Sequence, residues 1–320
     1  MTTYSVLIPF VPRRPEQVLP YAALVQWTHA RRLWQGQSLL VDPAQGFAFV
    51  AGAGFRVPTG IGVSLMPLHH PYTAAVQARS LALATGQPVL AGFGPGAPAF
   101  QGHLLGAPYA SPLTAVREYL GTVRGLLSGR PVATDGDYYS CHAALPPTPG
   151  AVVELGLGVL RPGMARLAGE LADAAITWLT PAGYLRDTVV PALCEGAALA
   201  GRTARPTLTA IVPVALPVAD RDPAEFALAG SGAHLQGAHY RDMLRRAGID
   251  TTGSDPALDA KALVAGGAFV SGELPVLVAQ LQEFAAAGAD EVVLNLTGVF
   301  AACGPQVAMD QLKRILAALA

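Results

Sequence analysis

Eight short apolar runs, each followed by a stretch with helical periodicity, constrain the fold of this chain more than any other feature. The runs are mostly continuous rather than alternating in hydrophobicity, which is typical of strands buried on both faces of a parallel sheet. They cover Ser5–Pro9, Leu33–Leu39, Gly60–Leu65, Val89–Gly92, Val152–Gly156, Ala174–Trp178, Thr207–Val214 and Glu291–Leu296. Eight strands that alternate with helices in 320 residues predict an α/β fold of the (β/α)8 or TIM barrel type.

An open, doubly wound sheet is the alternative arrangement. Its usual sign is a glycine-rich turn directly after the first strand. Here Ser5–Phe10 runs into Val11–Pro15, which contains no glycine. The sequence therefore favours the barrel, in which the carboxyl ends of the strands carry the chemistry.

The helices are bounded by capping residues. Proline at the first helical position and glycine after the last turn predict helices over Pro71–Gly86 and Ser111–Gly129. The same signals predict four more helices, of which the first should be kinked by Pro191. These are Pro181–Ala200, Pro223–Gly248, Glu273–Gly288 and Pro305–Leu319. Residues 219–271 then form an insertion after the seventh strand, and residues 1–320 form one domain.

Composition excludes several classes of protein. The 21 basic and 22 acidic residues give a net charge of −1, so no basic stripe predicts nucleic-acid binding. Although 52% of the residues are hydrophobic, no run approaches the roughly 20 apolar residues of a membrane helix. Met1–Pro9 lacks a signal-peptide pattern, and Cys141, Cys194 and Cys303 lack metal-ligand spacing. We expect a cytoplasmic, bacterial protein without a metal site.

Glycines cluster at the predicted strand ends, where a flat or phosphorylated ligand can approach the backbone. Gly62 precedes Val63-Ser64-Leu65 at the third strand end, and Gly92, Gly94 and Gly96 follow the fourth strand. After the fifth strand, Gly158 leads to a helix that begins near Pro162. The free N–H groups at the start of that helix predict an anion site, with plain turns as the alternative explanation.

Several segments in order resemble the luciferase-like monooxygenase superfamily, which comprises flavin- and deazaflavin-dependent enzymes on a (β/α)8 barrel. The similarity extends over nearly the whole chain. The segments are Gly62–Pro67 with His70-Pro71, Gly92–Gly96, Ser111–Gly129, Gly136–Tyr139, Arg161–Asp173, Glu195–Ala197, Ala200–Arg202 and Ala287–Glu291.

The resemblance implies where a cofactor would bind. A bulge at the end of the third strand, with a non-prolyl cis peptide at Ser64–Leu65, would support the tricyclic ring. The glycines after the fourth strand would pass near the ring or its ribityl chain, and the turn after the fifth strand would bind the phosphate. The implied cofactor-binding residues are Gln37, Ser38, Ser64, Leu65, Gly92, Gly94, Gly96, Gly158, Arg161, Pro162, Gly163 and Met164.

Two departures from the family pattern bear on the reaction. Relatives often carry an acidic residue and a histidine at the end of the second strand, where this chain has Gln37 and Ser38. Sugar-phosphate dehydrogenases of the family carry Glu after the fourth-strand glycines, where this chain has Ala97-Pro98. We therefore expect no alcohol oxidation by that route. The candidate catalytic residues are Ser38, His69 and His70, although His70 also fits a role preceding a helix.

The resemblance implies a hydride transfer from reduced coenzyme F420 to an activated C=C or C=N bond, for example a dehydroamino acid in a modified natural-product peptide. An FMN-dependent two-component monooxygenase is the first alternative. A non-catalytic flavin-binding paralogue is the second. The resemblance also implies a homodimer, for which the helices Pro71–Gly86 and Ser111–Gly129 offer apolar faces.

Overall fold

The computed structural model describes residues 2–37 and 40–320. Eight parallel strands close into a barrel in the order β1-β2-β3-β4-β7-β8-β9-β11, with β11 returning to β1. The strands are β1 (Thr3–Leu7), β2 (Leu33–Gln35), β3 (Thr59–Leu65), β4 (Val89–Gly94), β5 (Val132–Asp135), β6 (Ser140–Ala143), β7 (Val153–Gly158), β8 (Ala174–Trp178), β9 (Thr207–Ala215), β10 (Val270–Ser271) and β11 (Glu291–Asn295). The eight predicted runs are the eight barrel strands, so the predicted fold class is confirmed.

Thirteen helices accompany the described strands. They are α1 (Leu19–Gln26), α2 (Pro43–Gly52), α3 (Pro71–Thr85), α4 (Pro98–Leu105), α5 (Pro112–Leu127), α6 (Pro162–Leu171), α7 (Ala182–Tyr184), α8 (Val190–Leu199), α9 (Pro223–Leu235), α10 (Ala238–Arg246), α11 (Pro256–Ala265), α12 (Leu274–Ala286) and α13 (Thr297–Ala318). Gly86 ends α3 in the left-handed conformation with φ of 64°, as the sequence predicted. The helices of the barrel therefore begin and end close to their predicted capping residues.

Three predicted helices differ in detail. The helix over 181–200 consists of α7, a π-helical turn at Leu185–Val189 and α8, whose first turn contains Pro191. The helix over 223–248 breaks at Gly237 into α9 and α10. The helix over 305–319 is the second part of α13, which bends at Gly304, where φ is 85°. A π-helical turn and Gly237 thus interrupt two helices that the apolar pattern joins together, whereas α13 begins before the predicted start at Pro305.

Two small sheet elements were not predicted. β5 and β6 form an antiparallel hairpin, and β10 pairs with the edge of β9. The hairpin is held by the carboxylate of Glu118 on α5, which accepts hydrogen bonds from the N–H groups of Asp137, Tyr138 and Tyr139 at 2.9 to 3.1 Å. A long-range side-chain contact of this kind leaves no periodic signal in the hairpin sequence itself.

The interior of the barrel is a separate apolar core. It contains Leu7, Trp34, Leu90, Ala174, Ile176, Ile211 and Val293. The indole of Trp34 fills the space beside Gly60 on β3, where an added Cβ would overlap the ring. A larger apolar layer lies between the barrel and its helices. The interior is therefore filled with side chains, as in other closed eight-stranded barrels, and is not a pore.

A buried polar network closes the amino-terminal end of the barrel. The Glu291 carboxylate accepts from the Ser5 hydroxyl at 2.5 Å and from the Trp34 indole N–H at 2.7 Å. Arg32 is 2% exposed, and it pairs with Glu154 at 3.0 Å and lies 3.9 Å from Glu291. Arg32 is buried whereas the Glu154 side chain is 39% exposed, so Glu154 gives the buried guanidinium a partner at the edge of the barrel.

Residues 219–271, the predicted insertion, contain α9, α10, α11 and the short β10. The separately predicted helix over 273–288 is α12, which leads to β11. α9 packs closely on α13, since a Cβ at Gly230 would lie 2.8 Å from the backbone N of Gly298. This contact holds the insertion over the carboxyl ends of the strands. Within residues 2–37 and 40–320, no helix has the length and apolar character to cross a membrane.

Candidate functional site

A cavity of about 760 Å³ opens at the carboxyl ends of the barrel strands. Each barrel strand, or the segment that follows it, contributes to the wall, and α9 and α10 of the insertion contribute as well. The volume lies in the range of small-molecule and cofactor sites. No Asp, Glu or Lys lines this cavity among the described residues, and Arg161 supplies the cationic side chain.

The floor of the cavity is a bulge in β3. Ile61 pairs with Ala91 and Ser64 pairs with Phe93, so β3 carries one more residue than β4 between these pairs. The non-prolyl cis peptide joins Gly62 to Val63. The predicted bulge is thus present, but the prediction of the cis bond at Ser64–Leu65 was wrong by two residues. Val63 lines the cavity directly.

Three glycines make room for the Val63 side chain. A Cβ at Gly94 would lie 2.9 Å from Val63 Cγ2, and one at Gly158 would lie 3.3 Å from Cγ1. Gly94 and Gly158 line the cavity, whereas Gly92 is buried below it, where a Cβ would overlap the carbonyl oxygen of Ile61. The lack of side chains at these glycines therefore determines where the Val63 side chain lies at the base of the cavity.

Gln37 joins the end of β2 to the bulge. Its Oε1 accepts from the Ser64 hydroxyl and from the Leu65 N–H, both at 3.3 Å. Gln37 and Leu65 line the cavity, and Ser64 does not. Ser38, predicted as a cofactor and catalytic residue, lies outside the described residues. Gln37, at the position where relatives often carry an acidic residue, is therefore hydrogen-bonded to the bulge of β3.

Gln101 was missed by sequence analysis. Its side-chain amide donates to the carbonyls of Pro95 and Gly96 at 3.0 and 2.8 Å, and its Oε1 accepts from the Tyr109 N–H at 2.9 Å. Gly96 has φ of 74°, which favours glycine. Gln101 therefore holds the turn after β4, which contains the predicted Gly94 and Gly96, against the cavity.

The start of α6 provides an anion-binding geometry. Arg161 is the N-cap residue, and no side chain caps the helix within the described residues. The first-turn N–H groups of Gly163 and Met164 have no acceptor within the helix, and the helix dipole is positive here. Gly158, Arg161 and Met164 line the cavity, while Pro162 and Gly163 lie just behind them.

Asp242 of α10 pairs with Arg161 at this turn and lies beside two arginines of its own helix. Arg161 Nε lies 2.7 Å from Asp242 Oδ2, and Arg246 Nε lies 3.1 Å from the same oxygen. The hydrogen bond from Arg246 is the main cause that lowers the pKa of Asp242, and the charges of Arg161, Arg246 and Arg245 lower it further. Three arginines against one carboxylate leave a net positive surface beside the start of α6.

Aromatic side chains from β8, α9 and α10 form part of the cavity wall. The rings of Trp178 and His234 are 5.0 Å apart, and His234 meets Tyr240 edge-on at 5.2 Å. Burial lowers the pKa of His234 to about 4, with His239 as the second cause. Burial likewise raises the pKa of Tyr240 to about 12. These side chains are therefore neutral near pH 7.

His69 and His70 lie away from the cavity lining. The His70 Nδ1 accepts from the Tyr72 N–H at 3.2 Å at the start of α3, and its Nε2 lies 3.0 Å from the Ser140 carbonyl oxygen. His70 thus caps a helix and contacts the hairpin. His69 follows a short helical turn and likewise does not line the cavity.

Comparison with known sequences identifies related enzymes. The sequence model of the family described as luciferase-like monooxygenase matches residues 4–291. A 5,10-methylenetetrahydromethanopterin reductase from Methanolobus tindarius is 32% identical over 154 residues, which is 46% of this chain and 44% of that protein. An F420-dependent glucose-6-phosphate dehydrogenase from Beutenbergia cavernae is 36% identical over 89 residues, or 27% of this chain and 26% of that protein. The matches therefore span less than half the length of these relatives.

Solved structures share the fold. The coenzyme F420-dependent tetrahydromethanopterin reductase from Methanopyrus kandleri superposes with a TM-score of 0.77 at 19% identity, covering 100% of this chain and 99% of that one. The oxygenating constituent of 3,6-diketocamphane monooxygenase from Pseudomonas putida, in complex with FMN, gives 0.71 at 16% identity, covering 99% and 98%. At these identities the likeness shows the fold alone.

Proposed function

Because the chain belongs to the luciferase-like monooxygenase family, we propose that it is an oxidoreductase that uses coenzyme F420 to reduce an activated C=C or C=N bond. The carrying observation is the cavity at the barrel mouth, which combines a bulged floor, an uncapped helix start and a positively charged rim. A dehydroamino acid in a modified peptide is one acceptor of this chemical type.

The cavity residues fit such a cofactor. Gly94 and Gly158 carry no side chain that would compete for the space above Val63, so a flat ring would lie on the Val63 floor. The N–H groups of Gly163 and Met164 would bind a phosphate at the start of α6. When bound, a reduced deazaflavin supplies a hydride. The chain's own task is then to position the ring and the acceptor.

The rim supports F420 over FMN. F420 continues beyond its phosphate into a chain of glutamates, whereas FMN ends at the phosphate. Arg161, Arg245 and Arg246 lie around Asp242 next to the phosphate turn, and their surplus positive charge suits an anionic tail. These arginines support the proposal of an anionic cofactor tail at this edge of the cavity.

The lining supports reduction over alcohol oxidation. Removal of a hydride from an alcohol requires a base for the hydroxyl proton, and the described cavity wall carries no carboxylate. Burial lowers the pKa of the two histidines in the lining, His234 and His239, which makes them weaker bases. Gln37 occupies the position where relatives often carry an acidic residue, and its amide oxygen accepts hydrogen bonds from Ser64 and Leu65. Addition of hydride to an activated double bond needs no such base, and water can supply the proton.

Titration with three ligands tests the proposal. The ligands are F420, the deazaflavin that has the ribityl chain but no phosphate or glutamates, and FMN, each followed by fluorescence quenching. We expect F420 to bind most tightly, and Arg245→Ala with Arg246→Ala to weaken F420 by about tenfold while leaving the binding of the ribityl deazaflavin unchanged. The matched control is Arg130→Ala, an exposed arginine after α5. Preference for FMN over F420 would refute the cofactor assignment.

An FMN-dependent monooxygenase is the second candidate. It is favoured by one observation: Arg161 is already paired with Asp242, which reduces the charge left for a tail. Tighter binding of FMN, together with substrate oxygenation on supply of reduced FMN and oxygen, would establish it. Binding of neither cofactor would leave a non-catalytic paralogue.

We also propose that the chain forms a homodimer through α3 and α5. Exposed apolar side chains on these helices, Tyr72, Leu83 and Leu113, support the proposal. Sedimentation of the wild type against Leu83→Glu tests it, since a charge in a dimer interface should shift the protein toward monomer.

A further inference from the structure

Three polar atoms in the cavity wall have no hydrogen-bond partner among the described residues: Gln35 Oε1 at the end of β2, and Trp178 Nε1 and His234 Nδ1, whose rings lie together. Trp178 Nε1 and His234 Nδ1 are both buried, and none of the described residues offers either of them a bond. Both side chains line the cavity, and their rings are 5.0 Å apart. A buried polar group without a partner costs about 1–3 kcal/mol, so an unpaired couple at one place in a binding cavity indicates that a ligand supplies the partner.

The two residues reach the cavity from different sides: His234 comes from the insertion, and Trp178 packs on the barrel interior together with Val63. Val63 and the start of α6 lie on the barrel side of the cavity, whereas His234 belongs to α9 of the insertion, which covers the mouth. A substrate bound above the cofactor ring would lie between the Val63 floor and this roof. Trp178 stands at the carboxyl end of β8 and meets His234 there.

The chemistry of the couple defines the ligand. An indole N–H donates only, and a neutral imidazole donates from one nitrogen and accepts at the other. Tyr240 meets His234 edge-on, and the cavity lining is largely apolar or aromatic. The described lining offers no carboxylate or lysine to neutralise a charged substrate, and the phosphate and tail of the proposed cofactor would occupy the arginines around Asp242.

We propose that Trp178 and His234 are the specificity-determining residues of the substrate pocket, and that they select an uncharged, largely apolar molecule whose carbonyl oxygen accepts their hydrogen bonds. The inference rests on the proposed function, because it assigns the roof of the cavity to the substrate and the floor to the cofactor. A free carboxylate or phosphate on the substrate would remain unpaired here and would be rejected.

Cinnamamide and cinnamate are suitable probes, since they share a conjugated skeleton and differ in charge. The chain has three tryptophans, so three indole N–H resonances report on binding. Trp27 is 73% exposed at the surface and Trp34 is buried against Glu291, so both serve as internal references. Each probe is titrated into the protein with and without F420, and the resonances are assigned from the Trp→Phe variants.

We expect cinnamamide to shift the Trp178 resonance and to leave those of Trp27 and Trp34 unchanged. Trp178→Phe and His234→Phe should each weaken cinnamamide by roughly fivefold, as the loss of one neutral hydrogen bond predicts. His234→Asn should restore binding, because its amide can take the place of the imidazole Nδ1. Trp27→Phe is the matched control. Cinnamate should bind on the order of 100-fold more weakly.

Three results would each overturn the proposal. They are equal binding of cinnamate and cinnamamide, binding of cinnamamide without a shift of the Trp178 resonance, and failure of cinnamamide to bind at all. The cofactor titration is read separately on the same samples. A protein that shifts the Trp178 resonance but does not bind F420 would disprove the F420 assignment and leave the pocket assignment standing.

Discussion

The packing of Val63 against the strand-end glycines yields a prediction that separates two neighbouring positions on β4. Gly92→Ala and Gly94→Ala introduce the same methyl group two residues apart on the same strand. At Gly94 the new Cβ would lie 2.9 Å from Val63 Cγ2, a side-chain atom. At Gly92 it would overlap the Ile61 carbonyl oxygen, which belongs to the backbone of β3.

The expected loss of folding free energy depends on whether the atoms that the new Cβ meets can move. Val63 borders the open cavity, so its side chain can give way, and Gly94→Ala should cost about 1–2 kcal/mol. The Ile61 backbone pairs with Ala91 on β4 and cannot shift without disturbing that ladder. Gly92→Ala should therefore cost more than about 3 kcal/mol.

Val63→Ala is the diagnostic partner. Removing the methyl groups that the Gly94 Cβ meets should recover about 1 kcal/mol of the cost of Gly94→Ala in a double-mutant cycle. The same cycle with Gly92→Ala should give a coupling below about 0.5 kcal/mol, because the backbone overlap remains. Urea unfolding followed by tryptophan fluorescence measures both cycles. Equal costs of the two alanines, or rescue of Gly92→Ala by Val63→Ala, would refute the packing described for the floor.

Other predictions concern stability and pH. Gly121→Ala on α5 meets open space and should raise the free energy of unfolding by about 0.5–1 kcal/mol, whereas Gly125→Ala would approach Val132 at 2.6 Å and should not; thermal denaturation of the two variants decides this. Glu118→Gln should cost about 1–2 kcal/mol and speed hydrogen exchange at the hairpin turn, because a charged acceptor of three N–H groups becomes neutral; unchanged exchange would contradict this role. Because the pKa of His234 falls from 6.5 to about 4 in the folded chain, the unfolded chain binds the extra proton between those values, and stability should decline by about 3 kcal/mol as pH falls from about 6.5 to about 4. His234→Gln should abolish that part of the decline and His103→Gln should not, as urea unfolding over this pH range would show.

The barrel strands could be predicted because each is buried on both faces and reads as a continuous apolar run. β5 could not, because its residues alternate between half-buried and exposed positions and contain no such run. The end of β3 shows a further limit. The sequence indicates a bulge near Gly62–Leu65, but the residue that carries it is set by pairing with β4, where Ile61 meets Ala91 and Ser64 meets Phe93.

The residues of the candidate site also differ in whether the sequence could predict them. Gly94, Gly158 and Arg161 lie at strand ends or helix starts, so a rule based on local sequence could find them. Trp178 also ends a barrel strand, and a search of all strand ends for large polar-tipped side chains would have found it. His234 could not be found this way, because it reaches the cavity only through the packing of α9 over the mouth.

The two ends of the barrel use their interior space in opposite ways. At the amino-terminal end, Trp34 fills the space beside Gly60, and its N–H is satisfied by Glu291. At the carboxyl end, glycines leave the space above Val63 open, and the N–H of Trp178 has no partner among the described residues. The same residue type is thus satisfied where the barrel is closed and unpaired where it is open. Arg32 Nε and Nη1 at the closed end also lack a hydrogen-bond partner within the described part of the chain, so an unpaired donor alone does not distinguish the two ends. The open end combines its unpaired donor with a cavity from which a bound molecule can reach it, and this combination indicates that the open end is shaped for a ligand.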